Sequence, residues 1–200
     1  YHKKGTVMGR LSPSIITYDK LMYNQANWRD IRAGKDKNVA RGDFTATPAT
    51  DQMTDYRISK AKKYLRQFND KYNGGKSEVL DRHSVGSLAT HMHHIFPKNQ
   101  FEEIADYIEN LIALTAGQHL QEAHPNGDTN LIDKDFQYLC LICKTESIRK
   151  NILDNGGEPI IYDFAEFMYV LDIGFKTDYF EENIPQNDFK LVLTGIEMNH

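Results

Sequence analysis

The stretch at residues 91–124 reads HMHHIFPKNQFEEIADYIENLIALTAGQHLQEAH and contains five of the eight histidines in the chain. Small and β-branched residues predict a short strand over residues 85–94, which ends at the pair His93-His94. The apolar run of residues 111–114 is short enough to be a second, buried strand. The sequence therefore predicts two short strands joined by a loop, with histidines concentrated at the end of the first.

A helix is predicted directly after the second strand. Thr115-Ala116-Gly117-Gln118 has the Thr-x-x-Gln form of a capping box, in which the threonine hydroxyl and the glutamine side chain satisfy free amides at a helix start. The helix would carry His119 in its first turn and end near His124, where Pro125-Asn126-Gly127 stops it. The order strand, loop, strand, helix then brings the imidazole of His119 to the histidine pair.

These residues resemble the motif of the HNH (His-Me finger, ββα-metal) endonucleases. In that family the marker positions are a histidine that closes the first strand, an asparagine that starts the second, and a histidine or asparagine on the helix. His94, Asn110 and His119 stand at these positions in register. The continuation AHPNGDT at residues 123–129 is similar to HNH enzymes of bacterial restriction systems. The resemblance covers residues 85–150 and implies an α+β fold, with a ββα-metal nuclease core and additional flanking helices.

The resemblance suggests a role for each of these side chains. His94 is the candidate general base, because imidazole is the side chain whose ordinary pKa lies near working pH, and it must be neutral to act. His93 and His119 resemble the family's metal ligands, so one divalent ion, Mg²⁺ or Mn²⁺, would lie between the strand end and the helix. Nitrogen donors would also admit other transition metals. Asn110 would hold the intervening loop so that a hydrogen bond aims the base, and we count it with His94 as catalytic.

Three further side chains are candidates for a phosphate contact or for a supporting position around the metal. His91 shares a strand face with His93, and it could support a ligand or simply be exposed. His124 could reach the metal or a phosphate, or could simply end its helix favourably. Lys98, which follows the histidine pair, is the third candidate.

The charge of the chain is unevenly distributed, although its net value is only −4. Residues 1–100 contain 18 Lys and Arg against 9 Asp and Glu, whereas residues 101–200 contain 6 against 19. A basic half that leads into the histidine pair is typical of a surface that follows phosphates. The alternative is a solvated basic face that packs on an acidic half.

The best candidate for a phosphate-contacting helix lies in the basic half, at residues 55–72. Its apolar residues recur at helical spacing, and basic residues occupy most of the remaining positions. The side chains expected to contact DNA are Lys62, Lys63 and Arg66.

Three regions are predicted along the chain. Residues 1–84 form a basic, DNA-contacting region, and residues 85–150 form the nuclease core. Residues 151–200 form an acidic helical extension that packs on the core or on a dimer partner. Further helices are predicted at residues 134–151 and 162–173.

The spacing Cys140-x-x-Cys143 could indicate a zinc site, since some family members brace this fold with four cysteines. The chain has only these two cysteines, so core packing is the favoured interpretation. With Leu139, both cysteines are expected on the buried side of their helix. Two reduced cysteines also fit a cytoplasmic protein. No run of residues approaches the length of a membrane span, and Tyr1 at the first position is consistent with a piece of a longer protein.

Taken together, the motif and the charge predict a metal-dependent DNA endonuclease. A sequence-specific type II restriction endonuclease acting on double-stranded DNA is the favoured form, and a homodimer would follow if its site is palindromic. One alternative is a structure-specific or nonspecific nuclease that acts on DNA or RNA. Another is a nucleic-acid-binding module on the same scaffold that does not cut.

Overall fold

The computed structural model describes residues 51–80, 86–124 and 132–200, with side chains from Thr54 onward. Residues 1–50 of the predicted basic region and the predicted helix stop at Pro125-Asn126-Gly127 lie outside the described residues. Thr54–His200 forms one compact unit. The helices are α1 (Asp51–Tyr72), α2 (Lys134–Leu153), α3 (Phe164–Phe175), α4 (Tyr179–Asn183) and α5 (Phe189–Asn199).

The sheet has two antiparallel strands, β1 (His91–His94) and β2 (Leu111–Leu114), and the described residues therefore have an α+β fold. The register pairs His91 with Leu114 and His94 with Leu111. All four residues of β2 are fully buried, which agrees with the apolar run that predicted this strand. The sheet carries the histidine end of β1 into the core of the unit.

The strand predicted over residues 85–94 is shorter in the structure, because β1 begins only at His91. The residues before it pair with a different segment. The amide of Ala89 donates to the carbonyl of Gly75 at 2.7 Å, and the amide of Ser77 donates to the carbonyl of Ser87 at 3.2 Å. These bonds hold residues 86–89 beside the segment that follows α1, whereas the pairing with β2 begins at His91.

The connection between the strands contains two 3₁₀ turns, Glu102–Ile104 and Ile108–Asn110. A π-helix, Gln118–Glu122, follows β2. The predicted capping box forms at its start: the amide of Gln118 donates to Thr115 Oγ1 at 3.2 Å, and the amide of Thr115 donates to Gln118 Oε1 at 3.0 Å. The chain after β2 thus begins a helix where the sequence predicts one, but the helix has the wider π geometry.

Helix α1 begins at Asp51, four residues before the predicted start. Ile58, Leu65 and Phe68 are buried as their spacing predicts. Helix α2 begins at Lys134 as predicted, because the side chain of Asp133 accepts a hydrogen bond from the amide of Phe136 at 2.8 Å. The Asp133 cap thus accounts for the start of α2, and the apolar stripe accounts for the buried face of α1.

The prediction that Leu139 is buried on α2 is wrong, since 37% of it is exposed. The buried face of α2 includes Gln137, Cys140 and Lys144, and Leu139, two residues after Gln137, lies about 160° from it around the helix axis. Helix α3 begins at Phe164, two residues later than predicted, because Asp163 caps it by accepting from the amides of Ala165 and Glu166.

The C-terminal helices complete the unit. Helix α3 contacts the 3₁₀ turn that precedes β2, and α5 contacts α2. Gly174 on α3 is required by a close approach, because an added Cβ would lie 2.3 Å from Cζ of Phe96. None of the helices within the described ranges combines the length and the apolar character needed to cross a membrane.

Candidate metal centre

Strand β1 sends its two adjacent histidines to opposite sides of the sheet. Side chains alternate along a strand, so His91 and His93 share one face while His94 lies on the other. The His93 face meets the π-helix, and the His94 face meets the connection between the strands. The pair therefore supplies one side chain to each half of the site.

The π-helix brings His119 and His124 together. In an α-helix, residues five apart would lie about 140° apart around the axis. The π-type bond from the amide of Ala123 to the carbonyl of Gln118, 2.8 Å long, closes a turn that is one residue wider. The rings of His119 and His124 consequently approach to 4.9 Å between centroids.

His93 completes a cluster of three imidazoles. Its ring centroid lies 5.2 Å from that of His119 and 5.1 Å from that of His124. One ring nitrogen from each histidine lies within 4.8 Å of the other two, which is a spacing that could hold a metal ion. The sequence assigned His93 and His119 to the metal and left the role of His124 open, whereas the structure places all three rings together.

The electrostatics of the site favour neutral imidazoles at His93 and His119. Burial, followed by the neighbouring histidines, lowers the pKa of His93 to about 2. Burial and the neighbouring His91 and His124 lower the pKa of His119 to about 4. Metal ligation needs neutral rings, so these side chains are ready to donate without first losing a proton.

The donor atoms fit a metal ion. Nδ1 of His119 is buried and has no hydrogen-bond partner among the described residues. A buried polar atom left without a partner costs about 1–3 kcal/mol, and coordination by a cation would remove that cost. Three imidazole nitrogens are the donor set of a transition metal ion, whereas Mg²⁺ prefers oxygen ligands.

His94 is fixed on the opposite face by a hydrogen bond to the backbone. Its Nε2 lies 3.0 Å from the carbonyl oxygen of Ala105. Because a carbonyl can only accept, Nε2 carries the proton. Burial, and then the positive charge of Lys62, lower the pKa of His94 to about 4. The ring is therefore neutral at physiological pH, and its Nδ1 keeps a free lone pair.

Asn110 fixes the segment between β1 and β2 that contains the Ala105 carbonyl. Its side chain is fully buried. Oδ1 accepts from the amide of Phe96 at 2.8 Å, and Nδ2 donates to the carbonyls of Phe96 and Ile104 at 3.1 and 3.2 Å. Since Ile104 directly precedes Ala105, Asn110 fixes the backbone that orients the His94 ring.

The other candidates from the sequence lie around this centre. The ring of His91 stacks on that of His119 at 4.5 Å with an interplanar angle of 9°, and its Nδ1 lies 2.8 Å from Thr90 Oγ1. His91 therefore covers one side of the cluster and is not among its three donors. Lys98 forms an ion pair with Asp55 on α1, and its charge contributes to the lowered pKa of His94 after burial and Lys62.

The three basic residues of α1 lie in different environments. Lys63 is exposed, and Lys62 is partly buried. Arg66 donates a hydrogen bond to the carbonyl of Thr90, immediately before β1. Lys63 thus faces solvent, Lys62 lies near the histidines, and Arg66 joins α1 to the sheet.

The two cysteines are separate from the histidine cluster. Both are free thiols, and Cys140 is buried. Burial raises the pKa of Cys140 and of Cys143, which disfavours the thiolate that zinc needs. The His93, His119 and His124 cluster is the only group of metal-ligand spacing found within the described ranges.

Sequence reasoning missed a buried polar network behind the sheet. Lys144 on α2 is fully buried and donates to Tyr162 Oη at 2.8 Å and to the Glu78 carboxylate at 3.2 Å. Glu78 in turn accepts from the amide of Ala113 in β2 at 2.9 Å. Lys144 and Glu78 are 66 residues apart, so no local pattern could have revealed the pair.

Comparisons of the chain with protein-family models, with curated proteins and with solved structures find no match.

Proposed function

We propose that this chain is a metal-dependent endonuclease of the HNH (ββα-metal) type that hydrolyses phosphodiester bonds in DNA. The observation that carries the proposal is that the two adjacent histidines at the end of β1 lie in different environments. His93 joins a three-imidazole cluster suited to a metal ion. The adjacent His94 presents a neutral ring whose Nε2 is already engaged by a backbone carbonyl. A base beside a metal centre is the arrangement that phosphodiester hydrolysis requires.

His93, His119 and His124 would hold the ion. When bound, a divalent cation supplies positive charge that stabilises the scissile phosphate and the leaving 3′ oxygen. Three nitrogen donors suit Mn²⁺, Co²⁺, Ni²⁺ or Zn²⁺ better than Mg²⁺. We therefore propose one transition-metal ion per site, which keeps Mn²⁺ and the other transition metals expected from the sequence and disfavours Mg²⁺.

His94 would act as the general base through Nδ1. The ring takes a proton from the attacking water while Nε2 keeps its own proton on the Ala105 carbonyl. The imidazolium that forms is stabilised by the same hydrogen bond, because the carbonyl dipole points at the charged ring. Asn110 does not touch the reacting atoms in this scheme. It is a positioning residue that holds the carbonyl in place.

The substrate is proposed to be double-stranded DNA cut at a defined sequence, as in a type II restriction endonuclease. The support is the excess of Lys and Arg over Asp and Glu in residues 1–100, which contrasts with the acidic excess in residues 101–200. Exposed Lys63 on α1 is available to a phosphate. A homodimer is proposed if the site is palindromic, since a two-fold protein matches a two-fold site.

Digestion of one mapped plasmid tests the proposal. The protein is incubated with supercoiled plasmid and Mn²⁺, Mg²⁺ or EDTA, and the products are separated on a gel. We expect discrete bands with Mn²⁺ and no cleavage with EDTA. A smear would indicate a nonspecific nuclease, and a mobility shift without cleavage under every metal would indicate a binding module and overturn the endonuclease proposal.

A further inference from the structure

Lys62 lies on the stripe of α1 that faces the histidine site. Asp55, Lys62 and Arg66 are seven and four residues apart, so at about 3.6 residues per turn they lie within about 40° of one another around the helix. Both flanking members contact the site region: Asp55 pairs with Lys98, and Arg66 donates to the carbonyl of Thr90. Lys62 is therefore held between two attachments that join α1 to the chain on either side of β1.

The ammonium group of Lys62 has a cationic environment. Its side chain is partly buried, and no hydrogen bond or ion pair joins it to another residue in the described ranges. Burial, followed by the charge of Lys98, lowers its pKa. Its own charge acts on His93, His94 and His119. Lys98 differs from Lys62, because the Asp55 carboxylate partly neutralises it.

A partly desolvated cation without a counter-charge is costly unless an anion completes the site. The groups around Lys62 are neutral imidazoles and a second lysine, and the carboxylate of Asp55 on the same stripe is already paired with that lysine, so the missing partner is negatively charged. A phosphodiester group fits this position, because its non-bridging oxygens carry negative charge and the transition state of phosphoryl transfer spreads charge over the oxygens of the phosphoryl group. A lysine ammonium is a compact point charge on a flexible stem, so it can pair with these oxygens.

We propose, building on the nuclease function proposed above, that Lys62 binds a non-bridging oxygen of the scissile phosphate beside His94 and is thereby a catalytic residue. Lys62 then differs in role from Lys63 and Arg66. Lys63 contacts distant phosphates without effect on chemistry, and Arg66 anchors α1 to the sheet. The expectation that the three side chains form one uniform DNA-contacting row is replaced by three separate roles.

The first test compares Lys62→Met, Lys62→Arg and the control Lys190→Met, which changes an exposed lysine on α5. Methionine keeps an unbranched apolar stem and removes the charge, and circular dichroism verifies the fold of each variant. Single-turnover cleavage of a plasmid with Mn²⁺ should fall by about 10²-fold or more in Lys62→Met, the usual effect of losing one preorganised transition-state contact. Duplex affinity should change by less than about tenfold, since one phosphate contact among many is lost. Lys62→Arg should recover part of the rate, and Lys190→Met should cleave at the parent rate.

The second test does not depend on cleavage. Inorganic phosphate is titrated into the metal-free parent and both methionine variants, and binding is followed by phosphorus NMR. Phosphate binding should be weakened by about tenfold or more in Lys62→Met and unchanged in Lys190→Met.

The outcomes separate the two proposals. If the parent cuts DNA but Lys62→Met matches it in both cleavage rate and phosphate binding, Lys62 is a solvated side chain and the inference is overturned while the nuclease stands. If no DNA is cut but Lys62→Met loses phosphate, the nuclease proposal falls and the anion site stands.

Discussion

The buried, neutral state of His93 predicts a specific loss of stability in acid. In the metal-free protein, lowering the pH favours the unfolded chain, because His93 takes up a proton when it is unfolded but stays neutral in the folded protein. The pKa of His93 is lowered from 6.5 to about 2. Its contribution to stability is therefore complete above the unfolded pKa and is lost as the pH falls below 6.5 towards 2.

The size of the effect follows from these two values. Below the unfolded pKa, each pH unit costs about 1.4 kcal/mol for one histidine that is protonated only when unfolded. Between about pH 7.5 and about pH 5, His93 alone should lower the free energy of unfolding by about 2 kcal/mol. His94 shifts in the same direction, with a pKa of about 4.

Glu109 acts in the opposite direction. Burial raises the pKa of its carboxyl to about 7, so its contribution is present at low pH and is lost as the pH rises through about 7. The free energy of unfolding of the parent therefore changes with pH through two opposing contributions, one from the histidines and one from Glu109. A difference between two variants removes this background, because Glu109 is unchanged in both.

The assay is urea unfolding in EDTA at both pH values for the parent, His93→Gln and the control His91→Gln. The parent and His91→Gln should each lose about 2 kcal/mol more than His93→Gln on acidification. If His93→Gln loses as much stability as the parent, His93 is protonated in the folded state, and the argument that burial keeps His93 neutral is refuted.

Three further substitutions have expected outcomes. His124→Ala should weaken Mn²⁺ binding in calorimetric titration by more than about tenfold, because it removes a donor, whereas His91→Ala should cost less. Asn110→Ala should lower the free energy of unfolding by about 3 kcal/mol, because it leaves three buried backbone groups without their partner; a loss below about 1 kcal/mol in urea would contradict this. Lys63→Gln should reduce the slope of log affinity against log salt by roughly 0.9 for duplex DNA, and an unchanged slope across a potassium chloride series would place Lys63 off the DNA surface.

The local elements were predictable because short-range rules govern them. The apolar run of β2 and the Thr115-x-x-Gln118 capping box both appear where the sequence places them. The start of α2 follows from Asp133 and the residues after it. In each case the hydrogen-bond partners lie within a few residues, so the pattern itself holds the information.

The composition of the metal cluster was only partly predictable. His93 and His119 were expected together, but His124 joins them through the π-type turn at Gln118. A spacing of five residues does not indicate one face on an ordinary α-helix. The wider turn depends on how the helix is held after β2, and that is a property of tertiary structure.

Contacts between distant segments of the chain could not be predicted from the sequence. Lys62 looked equivalent to its basic neighbours, and only the attachment of α1 through Asp55 and Arg66 turns it toward the histidines. The buried pair of Lys144 and Glu78 is likewise set by packing between distant segments. The neighbours of these side chains come from distant parts of the chain, and a local sequence pattern does not include them.

Single-turnover cleavage by His94→Ala is the most direct test of the central claim. The variant and the parent are compared at saturating protein on one mapped DNA with Mn²⁺, and DNA affinity is measured in parallel. Loss of the general base should reduce the rate by about 10²–10⁴-fold while leaving affinity nearly unchanged. A rate within about tenfold of the parent would place the base elsewhere and contradict the proposed chemistry.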